Sequence, residues 1–242
     1  MKKIIALCLM LLVLLPGCNK EEDTLKEISK EEALEIYNKV NDSIDTYYNE
    51  IKSGDKSYYF RFSSKRYENG INWFSKTEMS LDNSTNEMID ITYGGIYELE
   101  LMYGHYTVFN KEDEISKAYS FLDKVCYESN GLELTQGSAL WEWNLSVDQG
   151  ALRYKNNANE YSKINLCFEK KDTKYYSSKE GELYIVYTYD KTKYDYYFEN
   201  YLPVRLSKYS YHKDGFNYQE FYFEEEACIN LPDLNGFEII KR

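Results

Sequence analysis

The run WFSKTEMSLDNSTNEMIDITYGGIYELELMY, residues 73–103, decides the fold. Apolar and polar side chains alternate along it with a period of two, and the turn residues Asp82-Asn83-Ser84 and Gly94-Gly95 interrupt the alternation. This pattern is typical of strands that bury one face. Because the joints are short, consecutive strands should pair antiparallel and form a meander.

The same alternation continues on both sides of this run. Upstream it covers residues 58–63, with a turn at Glu68-Asn69-Gly70, and Gly104 suggests a further joint. Downstream it predicts strands that cover residues 139–147, 164–168, 183–189, 194–198, 202–204 and 216–231. An open sheet of about ten or more strands twists and curls. We therefore predict an α+β fold with a long, curved antiparallel sheet, a half-barrel meander.

Two segments carry helical spacing instead. A helix of about 25 residues should begin after Ser29, which forms a capping box with Glu32, and end at Gly54. Its apolar stripe consists of Ala33, Ile36, Tyr37, Val40, Ile44, Tyr47, Tyr48 and Ile51. A short mid-chain helix is predicted over 111–127, where apolar residues recur at three- and four-residue steps behind an acidic first turn. Both helices are expected on the concave face of the sheet.

The first residues of the chain have the features of an export leader. Lys2 and Lys3 precede the apolar run Ile4 to Leu15, which has 12 residues, fewer than the ~20 that cross a bilayer. The sequence Leu15-Pro16-Gly17-Cys18 that follows resembles the bacterial lipobox, with Pro16 in place of the usual small residue. The resemblance implies that Cys18 receives a diacylglycerol, with acyl chains such as palmitate, and becomes the first residue after cleavage.

This resemblance sets the expected organisation of the chain. Residues 1–17 form the signal peptide, 18–28 the lipidated cysteine and a charged tether, and 29–242 a single extracytoplasmic domain. The membrane is then a partner through the lipid on Cys18, and the protein lies at the outer face of the cell membrane. The alternative is an ordinary secretory signal that happens to contain a cysteine.

Composition narrows the choice of partners. The formal net charge of −12 disfavours nucleic acid and anionic lipid surfaces, and loss of the leader removes two lysines. The 27 tyrosines and 11 phenylalanines, against three prolines, favour strands. The cysteines Cys126, Cys167 and Cys228 allow at most one internal disulfide, with three possible pairings, or they are buried thiols.

At the level of architecture the chain resembles the outer-membrane lipoprotein carrier superfamily, which includes mycobacterial lipid-carrying lipoproteins. The resemblance is carried by the exported chain, the N-terminal helix, the long sheet and strands of the form Leu202-Pro203-Val204-Arg205-Leu206 and Ile229-Asn230-Leu231-Pro232. It implies a half-barrel around an apolar cavity. No functional residue of the family maps onto a position here, so none is assigned from it.

The sequence contains little that indicates a catalytic site. The two histidines, His105 and His212, each lie near a predicted turn among tyrosines, where an orienting acid and a nucleophile are not evident. The sequence lacks a nucleophile elbow, a phosphate loop and a paired-histidine zinc motif. We therefore predict a non-enzymatic protein with no catalytic residue, metal ligand or cofactor.

Aromatic residues on the predicted strands are the candidates for binding. An apolar site on the concave face would be lined by Trp141, Trp143, Tyr187, Tyr189, Tyr194 and Tyr196. The alternative is that these side chains are the core between sheet and helix. Three functions follow: binding of an apolar or amphipathic ligand or a partner, a structural or adhesive surface protein with a filled core, or an exported hydrolase without a known motif.

Overall fold

The computed structural model describes residues 25–96, 98–110, 115–122, 124–130, 138–161 and 165–241. The leader, Cys18 and the tether up to residue 24 lie outside the described residues. Thirteen strands form one sheet, and the predicted α+β class with a curved, mostly antiparallel sheet is confirmed. The strands are β1 Lys26–Glu27, β2 Tyr58–Glu68, β3 Ile71–Asp82, β4 Glu87–Ile96, β5 Glu100–Asn110, β6 Ile115–Leu122, β7 Val125–Asn130, β8 Lys174–Ser177, β9 Leu183–Tyr189, β10 Thr192–Glu199, β11 Leu202–His212, β12 Gly215–Glu224 and β13 Glu238–Lys241.

Two meanders make up the sheet. The order is β1-β8-β9-β10-β11-β12-β2-β3-β4-β5-β6-β7-β13, so β2–β7 and β8–β12 are each consecutive hairpins. The pairing of β12 with β2, in which Phe221 lies opposite Phe62, joins the two meanders. The only parallel pair among the described strands is β7 with β13 at one edge.

The predicted N-terminal helix is present as two helices, α1 Lys30–Tyr37 and α2 Val40–Ser53. The capping box of Ser29 and Glu32 is confirmed, and Gly54 ends α2 in the left-handed conformation with φ 87°. Between them, the Lys39 N–H donates to the Ile36 carbonyl at 3.1 Å, a three-residue step that tightens the chain and separates the two helices.

The apolar stripe of these helices is buried, as predicted. Ile44 and Ile51 have no solvent-exposed surface, and Tyr47 packs its ring 5.1 Å from that of Tyr154. Tyr154 belongs to a third helix, α3 Ser138–Tyr161. The three helices contact β8, β9 and β11 in one half of the sheet and β5 and β6 in the other. They therefore occupy the concave face of the curved sheet.

The prediction of a mid-chain helix over 111–127 was wrong. The described part of this segment forms β6 and β7. Its apolar residues at three- and four-residue steps concealed a period-two pair, Tyr119 and Phe121, which packs on the convex face of the sheet. Tyr119 stacks on Tyr106 of the neighbouring strand with 5.6 Å between ring centroids. Pairing on both sides of β6 stabilises the strand form.

The prediction of a strand over 139–147 was also wrong, because this segment begins α3. Alternation of Ala139, Trp141, Trp143, Leu145 and Val147 covers only the first turns of the helix. The side chains that are buried recur at helical steps over a longer window, at Trp143, Val147, Ala151, Tyr154 and Ala158. The predicted strand at 164–168 is likewise a short 3₁₀ turn, Asn165–Glu169.

The predicted final strand over 216–231 ends early, at Glu224. Residues 225–237 then leave the sheet plane and cross the convex face of β4–β7. Ile229, Leu234 and Phe237 cover a second apolar cluster there, which contains Ile91 and Cys126. The fold thus has one core under the helices and another under the C-terminal segment.

Candidate functional site

Three of the predicted binding tyrosines form a stack on the concave face. Tyr187 of β9 lies 4.6 Å from Tyr194 and 6.1 Å from Tyr196 of β10, and all three rings are nearly parallel. Tyr187 and Tyr196 are buried, and burial raises the pKa of both hydroxyls. Tyr194 is half-buried, with the Lys208 ammonium 5.7 Å from its ring. The stack is therefore mainly an extension of the core with one accessible ring.

Tyr189 lies at the end of β9 and is 55% exposed. The Lys170 ammonium lies 4.1 Å from its ring centroid, which is the geometry of a cation–π contact. The side chain therefore has a partner on one side and solvent on the other.

The predicted tryptophans lie elsewhere. Trp143 is 5% exposed on α3 and stacks on Phe109 of β5 at 5.9 Å. Trp141 belongs to the same helix. In the sheet, five strands separate β10 from β5, so the structure does not bring Trp143 and the tyrosine stack into one site. For Trp143, Tyr187 and Tyr196, the position in the structure is that of core residues.

Two cavities adjoin the helices, and polar side chains contribute to both. A cavity of about 210 Å³ between α3 and β4–β6 is bordered by Asp90 and Arg153, which form an ion pair, and by His105. A second cavity of about 410 Å³ lies where α2 and α3 meet the ends of β10–β12, beside Tyr47 and Glu225. In it the Tyr47 hydroxyl donates to the Ser57 carbonyl at 2.5 Å.

The two histidines show no catalytic arrangement within the described residues. His105 Nδ1 lies 3.1 Å from Ser120 Oγ on the next strand. Asp90 is the cross-strand partner of His105, but its carboxylate binds Arg153 and no hydrogen bond joins it to the imidazole in the described part of the chain. His212 is exposed at the end of β11, before the two-residue turn that the sequence predicts.

The three cysteines are free thiols in this structure. Cys126 and Cys167 are buried, and burial raises the pKa of both thiols, that of Cys167 to about 12. A thiol with such a pKa is protonated at neutral pH and is a poor nucleophile. The structure therefore favours the buried-thiol alternative for these two residues.

The far ends of β3–β6, beyond the helices, carry an exposed apolar surface. Six large apolar side chains there are between 42% and 52% exposed: Trp73, Ile96, Leu99, Met102, Tyr103 and Leu122. Contiguous apolar surface of this kind marks interaction sites in soluble domains. We call the depression within it the rim groove.

The rim groove has a volume of about 650 Å³. Its apolar lining consists of Trp73, Phe74, Ile96, Leu101 and Met102, with Ser75, Gly94, Gly95, Glu100 and Lys124 completing it. Ligand pockets typically measure about 300–1,000 Å³ and combine an apolar lining with a few polar groups. The groove has both properties, and it is the candidate functional site.

A β-bulge in β5 shapes the groove. Thr92 pairs with Tyr103 and Tyr93 with Leu101, so Met102 is an extra residue without a partner in β4. The Met102 sulfur lies over Gly94, 2.5 Å from the point that a Cβ on Gly94 would occupy. The bulge and the missing side chain together let the methionine fold over the strand.

Sequence reasoning missed this site for two reasons. The sequence predicts turns at Gly94-Gly95 and at Gly104. In the structure the glycine pair lies inside β4, and Gly104 lies inside β5. A Cβ on Gly104 would come within 2.8 Å of the Asp90 carbonyl oxygen, so close strand packing explains that glycine. The alternation also places Leu101 and Tyr103 on one face, whereas the bulge turns them to opposite faces. Two adjacent glycines in an alternating run were the available signal.

Comparison with known proteins assigns this chain to no family. No family model matches the sequence, and no curated protein matches it. The solved structure of PNGF-II aligns with 77% of this chain at 9% identity and a TM-score of 0.20, and this chain spans 32% of its length. The S-type phycobiliprotein lyase CPES from Guillardia theta aligns with 75% of this chain and 93% of its own, at 7% identity and a TM-score of 0.18. Similarity this low carries no argument about function.

Proposed function

We propose that this protein is a membrane-anchored extracytoplasmic lipoprotein that binds an apolar or amphipathic ligand and performs no catalysis. The observation that supports binding is the rim groove, an open depression of about 650 Å³ whose lining includes the exposed apolar side chains Trp73, Ile96 and Met102. The proposal of anchoring rests on the leader and on Cys18 in the lipobox-like sequence. The chain otherwise holds no helix, among its described residues, of the length and hydropathy that membrane crossing requires.

The groove is a better binding site than the tyrosine stack. A ligand entering the stack would displace rings that already contact one another at 4.6–6.4 Å. A ligand entering the groove would cover side chains that now contact water, such as Trp73 and Met102. Removing that apolar surface from water provides the driving force, roughly 25 cal/mol for each Å² buried.

Trp73 reports directly on this proposal. It is the tryptophan that lines the groove, while Trp143 is buried against Phe109. In the full-length Cys18→Ser protein, which lacks the acylation site, titration with monomeric dodecyl maltoside should shift tryptophan emission to shorter wavelength. The matched control is Trp73→Phe, which should bind but lose the spectral response. Absence of both a shift and calorimetric heat over a panel of amphiphiles would reject ligand binding.

A second function, a structural or adhesive surface lipoprotein, has one specific observation in its favour. Trp143, Tyr187 and Tyr196 are buried core residues, so these predicted binding side chains already pack between the helices and the sheet. The titration separates the two functions. A structural protein would keep its rim exposed for another protein surface and would show no saturable binding of a single amphiphile.

A further inference from the structure

Two charged side chains line the rim groove, one of each sign. Glu100 is the first residue of β5, and Lys124 lies in the turn between β6 and β7. Within the described residues neither forms an ion pair, with the other or with a third residue. Among the described residues, the groove thus presents one carboxylate and one ammonium that no ion pair neutralises, beside an apolar lining.

Two features of the backbone fix the position of Lys124. The residue has φ 63°, the left-handed conformation that few non-glycine residues adopt. Its carbonyl accepts a hydrogen bond of 3.0 Å from the Glu238 N–H, at the start of the edge strand β13. The C-terminal strand therefore holds the turn that presents the lysine to the groove.

Glu100 begins β5, and Lys124 follows the end of β6, the strand that pairs with β5, so both residues lie at the same end of the sheet and line one groove. Both side chains are exposed, so both charged groups are accessible to a ligand that enters the groove. A ligand group that carries both a positive and a negative charge is complementary to this pair of lining residues. A single charge would satisfy one residue and be repelled by the other.

The net charge of the whole protein also favours a ligand with no net charge. With a formal net charge of −12, the domain repels an anionic amphiphile at long range. A cationic amphiphile would be attracted to many carboxylates on the surface, not to the groove in particular. A zwitterionic head group has no net charge, so only the local pair of Glu100 and Lys124 selects it.

We propose that the rim groove binds a single-chain zwitterionic amphiphile, such as a lysophospholipid with a phosphocholine or phosphoethanolamine head group. The acyl chain lies on Trp73, Ile96 and Met102. The phosphate of the head group contacts the Lys124 ammonium, and the positively charged ammonium of the head group contacts the Glu100 carboxylate. This inference rests on the proposed function, because it names the ligand of the same groove.

The test compares head groups on one chain length. Monomeric dodecylphosphocholine, dodecanoate, dodecyltrimethylammonium and dodecyl maltoside are titrated into the Cys18→Ser protein, with Trp73 emission and calorimetry as readouts. We expect dodecylphosphocholine to bind most tightly. Lys124→Gln and Glu100→Gln should each weaken its binding by about three- to fivefold, the size of a partly exposed ion pair, and leave dodecyl maltoside unchanged.

The variants should also reverse the preference for singly charged ligands. Lys124→Gln leaves Glu100 alone and should favour dodecyltrimethylammonium, whereas Glu100→Gln should favour dodecanoate. The matched controls are Lys213→Gln, a lysine in the turn between β11 and β12, and Glu98→Gln, a carboxylate of the turn before β5 that does not line the groove. Both controls should bind all four ligands as the parent protein does.

The outcomes separate the two proposals. Equal affinity for all head groups, or no effect of Lys124→Gln and Glu100→Gln, with a clear Trp73 response overturns the zwitterionic ligand and leaves the proposed function standing. Failure of every ligand to bind overturns both. Reversed preferences in the two variants, with normal circular dichroism, support the inference.

Discussion

Trp73 of β3 and Ile96 of β4 are direct cross-strand partners, yet they are 45% and 42% exposed. At the other end of the same strand pair, Leu81 and Met88 are also partners, and Leu81 is completely buried. The difference arises because the helices cover one end of β3 and β4 and leave the other end open. Among the described residues no helix covers the apolar side chains at the open end, which is why function is inferred from the rim groove.

Gly94→Ala tests whether the groove needs the space over this glycine. The new Cβ would lie 2.5 Å from the Met102 sulfur, so the methionine must leave its place over the strand. We expect amphiphile affinity to fall by about tenfold, or ~1.4 kcal/mol. The free energy of unfolding should change by less than about 1 kcal/mol, since the Met102 side chain is flexible and exposed.

A double variant completes this test. Met102→Ala removes the clash, so Gly94→Ala/Met102→Ala should show a smaller effect of the glycine change than the single variant does. An unchanged affinity of Gly94→Ala would place the ligand elsewhere.

Ile44→Asp tests the cover that the helices provide. Ile44 has no exposed surface and belongs to the cluster between α2 and the sheet. An unpaired carboxylate there should lower the free energy of unfolding by about 3–5 kcal/mol, which urea denaturation measures. Asn41→Asp, an exposed position of the same helix, should stay within about 0.5 kcal/mol of the parent. Equal stability of the two variants would contradict the packing described above.

Glu182 should make stability depend on pH. Burial pushes the pKa of this carboxyl up, but hydrogen bonds from Ser178 and from the Tyr197 hydroxyl, at 2.8 Å, hold it below its ordinary value of 4.5. A carboxyl with a lowered pKa in the folded state stabilises the fold above its unfolded pKa, and this stabilisation disappears as the pH falls through the folded pKa.

The measurement compares wild type with Glu182→Gln. The urea midpoint of wild type should exceed that of the variant at about pH 6, and the difference should shrink by about pH 3. Tyr197→Phe removes one of the stabilising hydrogen bonds and should give an intermediate profile. A difference that is constant with pH would show that the ionised carboxylate is not what the fold stabilises.

Cys18→Ser tests the anchor. The leader and the sequence Leu15-Pro16-Gly17-Cys18 predict acylation of this thiol. The variant should therefore lack the mass of a diacylglycerol and should leave the membrane fraction or accumulate as uncleaved precursor. Mass spectrometry of both fractions makes the measurement, with Cys8→Ser as the control that keeps the lipid. Retention of the lipid mass in Cys18→Ser would refute the lipobox interpretation.

The sequence alone determined those features in which neighbours along the chain interact. Hairpins such as β2–β3 follow from alternation on both sides of Asn69-Gly70, and this antiparallel pair is present. The buried stripe of α1 and α2 follows from helical spacing, and its first turn follows from Ser29 and Glu32. Local propensity and side-chain period act over few residues, so sequence reasoning reaches them directly.

Tertiary structure decided whatever depends on contacts between distant segments. The segment at 139–147 alternates like a strand but is helical, because its buried residues pack against α2 over a longer window. The segment at 115–127 has helical steps but is extended, since β5 offers a free edge for pairing. A short apolar run fits either period, and only the available partner selects between them.

The candidate site depended on tertiary structure most of all. The rim groove exists because a bulge adds Met102 to β5, because Gly94 leaves room above β4, and because the chain end ties down the turn of Lys124. The Lys124–Glu238 contact joins distant segments, and the bulge within the β4–β5 hairpin reverses the face that simple alternation assigns. The sequence could predict a curved sheet with aromatic residues on its concave face, but which aromatic residues remain open to a ligand is decided by where the helices stop.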